Sequence, residues 1–176
     1  VKFRLSRPLP QGVKSARVTH KAGKWFVSFA APQPTVERQT TGAAVGLDLG
    51  VAHTITTSDG DHLDQPESLS VGRRSRLVRL QRKVARQVKG SNRRGQTKRR
   101  IARLRERERD TRKDWVEKTS TRLVQDYDLI VLEDLKVKNM MASAKGTAEE
   151  PGKNVAQKRG LNRSIASQGW SMLRQR

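Results

Sequence analysis

Two carboxylates stand inside apolar, strand-like runs. Asp48 lies in residues 44–50 (AVGLDLG), and either Glu133 or Asp134 in residues 129–135 (LIVLEDL). An ionised carboxylate is costly to bury alone, so each position implies a cation, a hydrogen-bond network or exposure at a strand end. If the two strands are neighbours, their carboxylates face each other across about 5 Å and can hold a divalent cation through hard oxygen ligands. Such a pair suits phosphoryl transfer. The plainer reading is that Asp48 sits in a strand-end turn before Gly50 and that Asp134 caps the next segment. Spacing alone chooses neither between these readings nor between Glu133 and Asp134.

The second chemical signal is charge. The 176 residues carry 38 Lys plus Arg against 17 Asp plus Glu, a net +21. Residues 73–113 alone hold 19 bases against the three acids Glu106, Glu108 and Asp110. A solvated helix face normally mixes signs, and this one does not. Arg outnumbers Lys 24 to 14, and its planar fork suits phosphate. The expected nucleic-acid contacts are Arg73, Arg74, Arg76, Arg79, Arg82, Lys83, Arg86, Arg93, Arg94, Lys98, Arg99, Arg100, Arg103 and Arg107, with salt-sensitive affinity. A membrane-surface helix is the competing use, but the apolar stripe is thin and lacks interfacial aromatics before Trp115.

These residues need elements to position them. Residues 16–20 (ARVTH) and 24–30 (KWFVSFA) alternate around Lys21-Ala22-Gly23 and predict a hairpin. Pro32, Pro34 and the polar run to Gly42 mark a boundary. In residues 44–50, Val45, Leu47 and Leu49 share one face, with Gly46, Asp48 and Gly50 on the other. Residues 51–58 (VAHTITTS) before Asp59-Gly60 predict further strands in a hairpin. Leu77, Leu80, Val84 and Val88 recur at helical spacing, and residues 89–95 (KGSNRRG) interrupt before a second helical arm, giving an antiparallel helical hairpin. In that arm residues 105–114 (RERERDTRKD) have no apolar member and should be solvated or bound to charge. The run 129–135 reads as a central strand covered on both faces. Residues 136–160 are expected to be mobile, and residues 162–173 to form a helix anchored by Ile165, Trp170 and Leu173.

Composition excludes several classes. There is no cysteine, hence no disulfide, thiolate zinc site or cysteine nucleophile in these residues. No run of 18 apolar residues and no leader-like start is seen, so cytoplasmic, nucleoid-associated residence is expected and no membrane partner. No Walker-type loop or serine-nucleophile motif points to a small-molecule substrate. His20, His53 and His62 lack ligand spacing and read as ordinary, and Trp25, Trp115 and Trp170 read as packing anchors.

Taken in order, GLDLGV, T-x-SDG, the Arg-rich helical pair, STRLV, IVLEDLKVKNM and ASQGWSMLRQ resemble the TnpB (OrfB-type) family of transposon-encoded RNA-guided DNA endonucleases, relatives of type V CRISPR effectors. The resemblance spans Pro8 to Arg176. It implies an α/β fold: an RNase H-like (RuvC-like) mixed sheet over residues 43–176 with the Arg-rich helical hairpin inserted at 72–126, preceded over residues 1–40 by part of a wedge β-barrel. By the resemblance, Asp48 and Glu133 are the first two catalytic carboxylates and ligands of Mg²⁺ (or Mn²⁺), with guide RNA and target DNA as partners. Family members continue into a zinc ribbon that binds Zn²⁺ and a third catalytic aspartate, neither of which these residues contain. The expectation is therefore an internal piece of a longer protein, with weak metal binding and little cleavage by itself. The alternatives are a non-catalytic nucleic-acid-binding module, truncated or acting as a nuclease-dead guide-dependent repressor, and a basic ribosome-associated protein that needs neither Asp48 nor Glu133.

Overall fold

The computed structural model describes residues 3–5, 7–33, 35 and 37–176. Along the chain run β1 (Ser15–Lys21), β2 (Lys24–Ala30), β3 (Ala44–Asp48), β4 (Ile55–Thr57), β5 (His62–Leu63), α1 (Val71–Arg86), α2 (Asn92–Asp126), β6 (Leu129–Leu132), α3 (Val137–Met140), α4 (Val155–Ser167) and α5 (Trp170–Arg174). It is a mixed α/β chain in two compact units: Val1–Gln39 with Val71–Glu106, and Thr40–Ser70 with Arg107–Arg176.

The first unit holds the β1–β2 hairpin, α1 and the start of α2. β1 and β2 pair antiparallel with His20 opposite Trp25 and Lys21 opposite Lys24. The turn between them places both Ala22 (φ 48°) and Gly23 (φ 83°) in the left-handed region, as a two-residue hairpin turn of matching twist demands. Leu77 and Leu80 form the buried side of α1. At the end of α1 the Arg94 guanidinium donates from Nη1 to the carbonyls of Val84 and Gln87, each at 2.7 Å. Both carbonyls lie at or just past the last turn of α1, where the helix itself cannot fully satisfy its acceptors.

The second unit is built on a four-stranded sheet of order β5-β4-β3-β6. β3 pairs antiparallel with β4 and parallel with β6, so the sheet is mixed. Val45 and Leu47 of β3 and Ile55 of β4 pack on Val116 and Leu123 of α2 and Leu173 of α5. Ile55 is fully buried, and burying each such side chain is worth about 1.5–3 kcal/mol. Trp170 closes the same side, its indole N–H donating to the Thr54 carbonyl at 3.3 Å.

Several elements depart from the sequence reading. β3 ends at Asp48 and β4 begins only at Ile55, because the chain turns sharply at Gly50, where a Cβ would stand 2.9 Å from the His53 carbonyl oxygen. β6 lies at the edge of the sheet, with Leu129 57% and Val131 56% exposed. It is covered on one face rather than two, since no described element packs on the other. The C-terminal helix starts earlier, at Val155, within the segment expected to be mobile, and stops before Gly169, whose φ of 76° begins α5 separately. Of the two alternatives for the stretch 105–114, binding to charge applies at Arg112, which lies 4.0 Å from Glu108, while Glu106 is buried. Trp25 is 72% exposed and belongs to no buried cluster among the described residues, its ring contact being with His20. Trp115 and Trp170 do pack on or in the core.

Candidate functional site

The parallel register pairs Gly46 with Val131 and Leu47 with Leu132, so the next step along both strands sets Asp48 beside Glu133. Alternation decides which way they point. Val45 and Leu47 face the core, as do the half-buried Ile130 and Leu132, so Asp48 and Glu133 stand on the opposite, open face. There they line one shallow cavity of about 470 Å³ with Gly46, Thr56, Ser58 and Val131. At ordinary strand spacing they are about 5 Å apart. Neither carboxylate is met by an ion pair or side-chain hydrogen bond among the described residues. Asp134 is different, since Arg174 Nη1 donates to its Oδ1 at 2.5 Å. The ambiguity that spacing leaves between Glu133 and Asp134 thus has a geometric side: Glu133 shares the cavity with Asp48, and Asp134 is neutralised elsewhere. Glu133 also borders a second cavity of about 380 Å³, lined by Leu49, Leu135, Trp170 and Arg174.

Two hard oxygen donors side by side on an uncovered face, with no protein cation between them, suit a divalent cation. Among the described residues no third Asp, Glu or His joins them.

The same face carries groups that the sequence reading set aside. Asp48 pairs with Thr56 and Thr56 with His62, so Glu133, Asp48, Thr56 and His62 form a row across the four strands. Thr56 Oγ1 lies 3.2 Å from His62 Nδ1. The His62 ring stacks on His53 at 3.8 Å and 10°, and His53 Nδ1 donates to Asp64 Oδ2 at 3.0 Å. That bond, with the Thr54 N–H donated to the other oxygen, holds the Asp64 carboxyl below the usual aspartate range. Nothing in the spacing of the histidines signals this cluster, because the β4–β5 register creates it. Only the proximity of His62 to the Asp59-Gly60 turn could have hinted at it.

The expected nucleic-acid contacts divide sharply. Arg73, Arg74, Arg76, Arg79, Arg82, Lys83 and Arg86 on α1, and Arg93, Lys98, Arg99, Arg100, Arg103 and Arg107 on α2, are exposed. Arg94 is half-buried and engaged at the end of α1. The first unit holds 23 Lys and Arg against Glu37 and Glu106, the full +21. The second holds 15 against 15 and is neutral. No helix among the described residues is long and apolar enough to cross a membrane.

Comparison with known proteins agrees with the motif order. Residues 26–144 match the OrfB_IS605 family, described as a probable transposase. The chain is 39% identical over 175 residues to the Escherichia coli (strain K12) protein named "Putative RNA-guided DNA endonuclease InsQ", covering 99% of the chain and 43% of that protein. It is 36% identical over 175 residues to a Streptomyces pristinaespiralis protein named "Putative RNA-guided DNA endonuclease", covering 98% of the chain and 40% of that protein. The chain thus spans less than half the length of these relatives. With the family matched across two thirds of its residues, this chain belongs to the TnpB-type OrfB_IS605 transposase family.

Proposed function

We propose that the second unit is the RNase H-like, RuvC-type part of an RNA-guided DNA endonuclease that hydrolyses phosphodiesters with Mg²⁺ or Mn²⁺. The observation that carries this reading is the pairing of Asp48 with Glu133 on the open face of the sheet. These two side chains would hold the cation, which when bound supplies Lewis-acid polarisation of the phosphate and acidifies water. The chain's own part is otherwise positional. The strands fix both carboxylates from their backbones, the apolar far side keeps the sheet rigid, and the shallow cavity leaves room for a phosphodiester beside them. The exposed arginines of α1 and α2 would grip guide RNA and the heteroduplex with target DNA through their backbones, leaving sequence to base pairing. Such work places the protein in the cytoplasm at the nucleoid.

A second reading, a binding module that does not cut, is favoured by the absence of a third ligand among the described residues. One experiment addresses both. Two like charges side by side repel, and a cation that relieves the repulsion stabilises the fold by RT ln(1 + [L]/Kd), about 1.4 kcal/mol at ten times Kd. Mg²⁺ or Mn²⁺ should raise the melting temperature of this chain. Asp48→Ala and Glu133→Ala should each abolish the rise, while Asp134→Ala should keep it. A melting temperature indifferent to metal would refute the paired site. Metal-dependent cleavage of DNA by these 176 residues would refute the non-cutting reading.

A further inference from the structure

Trp25 is the most exposed aromatic side chain on the hairpin, at 72%. An indole is usually kept from water, or used at a contact surface. It is also held in place. Its cross-strand partner is His20, and the two rings lie 4.6 Å apart at 33°, so His20 backs the indole and most of the remaining surface is open. The pair flanks the Ala22–Gly23 turn, and Arg103 Nη2 stands 3.7 Å from where a Cβ on Gly23 would sit. An ordered aromatic plane therefore lies one strand position from a turn that touches a guanidinium. All of this belongs to the unit with 23 bases and two acids, one of which, Glu106, is buried.

We propose that Trp25, backed by His20, is a stacking platform for an unpaired base of a single-stranded nucleic acid whose phosphates are taken by the surrounding cations, Arg103 first. The inference rests on the nucleic-acid reading above and deepens it. Every base offers a π-face, so stacking adds affinity without sequence choice, and cationic grooves that track the backbone combine with such aromatics in single-strand binders. Charge complementarity favours this occupant over an apolar protein segment. A duplex end offers a stacked pair rather than a free base.

The test compares two fluorescein-labelled strands of equal length, oligothymidylate and an abasic oligodeoxynucleotide, by anisotropy and by tryptophan emission. With the wild-type chain, oligothymidylate should bind more tightly than the abasic strand and quench emission. Trp25→Ala should weaken oligothymidylate about tenfold, leave the abasic affinity unchanged and remove most of the quenching, since Trp170 is buried and Trp115 packs on the core. Trp25→Phe should retain most of the affinity. Unchanged oligothymidylate binding by Trp25→Ala would overturn the platform alone, as would equal losses on both strands, which would mean a general effect on the unit. Failure of the wild-type chain to bind either strand would overturn the platform and the nucleic-acid reading together.

Discussion

The two units of the chain differ in what they hold inside and in what they show outside. The neutral unit buries Val45, Leu47, Ile55, Val116, Leu123, Ile165, Trp170 and Leu173. The basic unit buries Leu77 and Leu80 and leaves Val18, Trp25 and Val88 in water. Its surface charge is almost all positive, Glu37 being the exposed acid, and this opposes compaction through self-repulsion. The neutral unit has the interior needed to hold two carboxylates in register, and its balanced surface imposes no strong field on them. The basic unit carries the long-range attraction for a polyanion and little of the interior. The lesson is that charge and an ordered carboxylate pair are assigned to different parts of the sequence: the charge is a property of composition, and the pair is a property of strand register.

Charge reversal in one unit and then in the other should give the largest contrast between them. For a protein making several phosphate contacts, affinity falls about 10³–10⁵-fold between roughly 50 and 200 mM salt, and this chain should behave so with single-stranded RNA or DNA. Reversing Arg99, Arg100 and Arg103 to Glu should weaken binding to all sequences alike and lower the salt slope by at least about 3. Reversing Lys136, Lys138 and Lys153 of the neutral unit should change affinity by less than about threefold, because that unit carries no net charge to attract a polyanion. Equal losses from the two sets, read by anisotropy at matched salt, would mean that the division by charge has no bearing on binding.

A smaller effect separates the interiors. Ile55→Ala should cost about 2–5 kcal/mol in urea unfolding, because the fully buried side chain leaves a cavity. Val18→Ala, on the exposed hairpin face, should stay within about 0.5 kcal/mol. A comparable loss at Val18 would show that the basic unit has an interior which its described contacts do not reveal.

The smallest expected effect concerns acid. Asp64 is held below its ordinary range by His53 and by the Thr54 N–H. Its folded carboxyl ionises more readily than the unfolded one, so its contribution is complete above the ordinary aspartate value near 3.9 and is lost as pH falls through the lower folded value. Asp64→Asn should therefore flatten the acid limb of a melting-temperature profile below about pH 4. A profile unchanged by the substitution would show that the bond from His53 does not persist in solution.

Much of the neutral unit can be read from the sequence, and the reasons are local. Alternation in AVGLDLG fixes which residues of β3 face inward, and the apolar run in LIVLEDL identifies its parallel neighbour. That same run misleads about β6, because apolar residues on both faces say nothing about whether a covering element is present. Gly169 falls inside an apolar helical pattern, so the break between α4 and α5 is hidden until its backbone is seen. Trp25 follows the alternation of β2 as a core residue would, and a strand pattern cannot tell a packed face from a bare one. Of the site, Asp48 is legible from its run. Its proximity to Glu133 depends on register, and the row through Thr56 to His62 depends on two further pairings that no single segment encodes.

The parallel pairing also sets an order of events for the folding chain. The Gly42 N–H donates to Asp128 Oδ2 at 2.6 Å, tying the starts of β3 and β6 across 86 residues of sequence. The β1–β2 hairpin closes through the two residues between Lys21 and Lys24. Contacts between residues near in sequence form fast, and distant parallel pairings form slowly because the loop entropy is lost before they reward it. The hairpin should thus be in place while the intervening helices are still forming, and Asp48 should meet Glu133 in one of the last steps. A chain emerging from the ribosome would present its aromatic hairpin well before its carboxylate pair exists, since residues 129–133 are synthesised some hundred positions after Ala30.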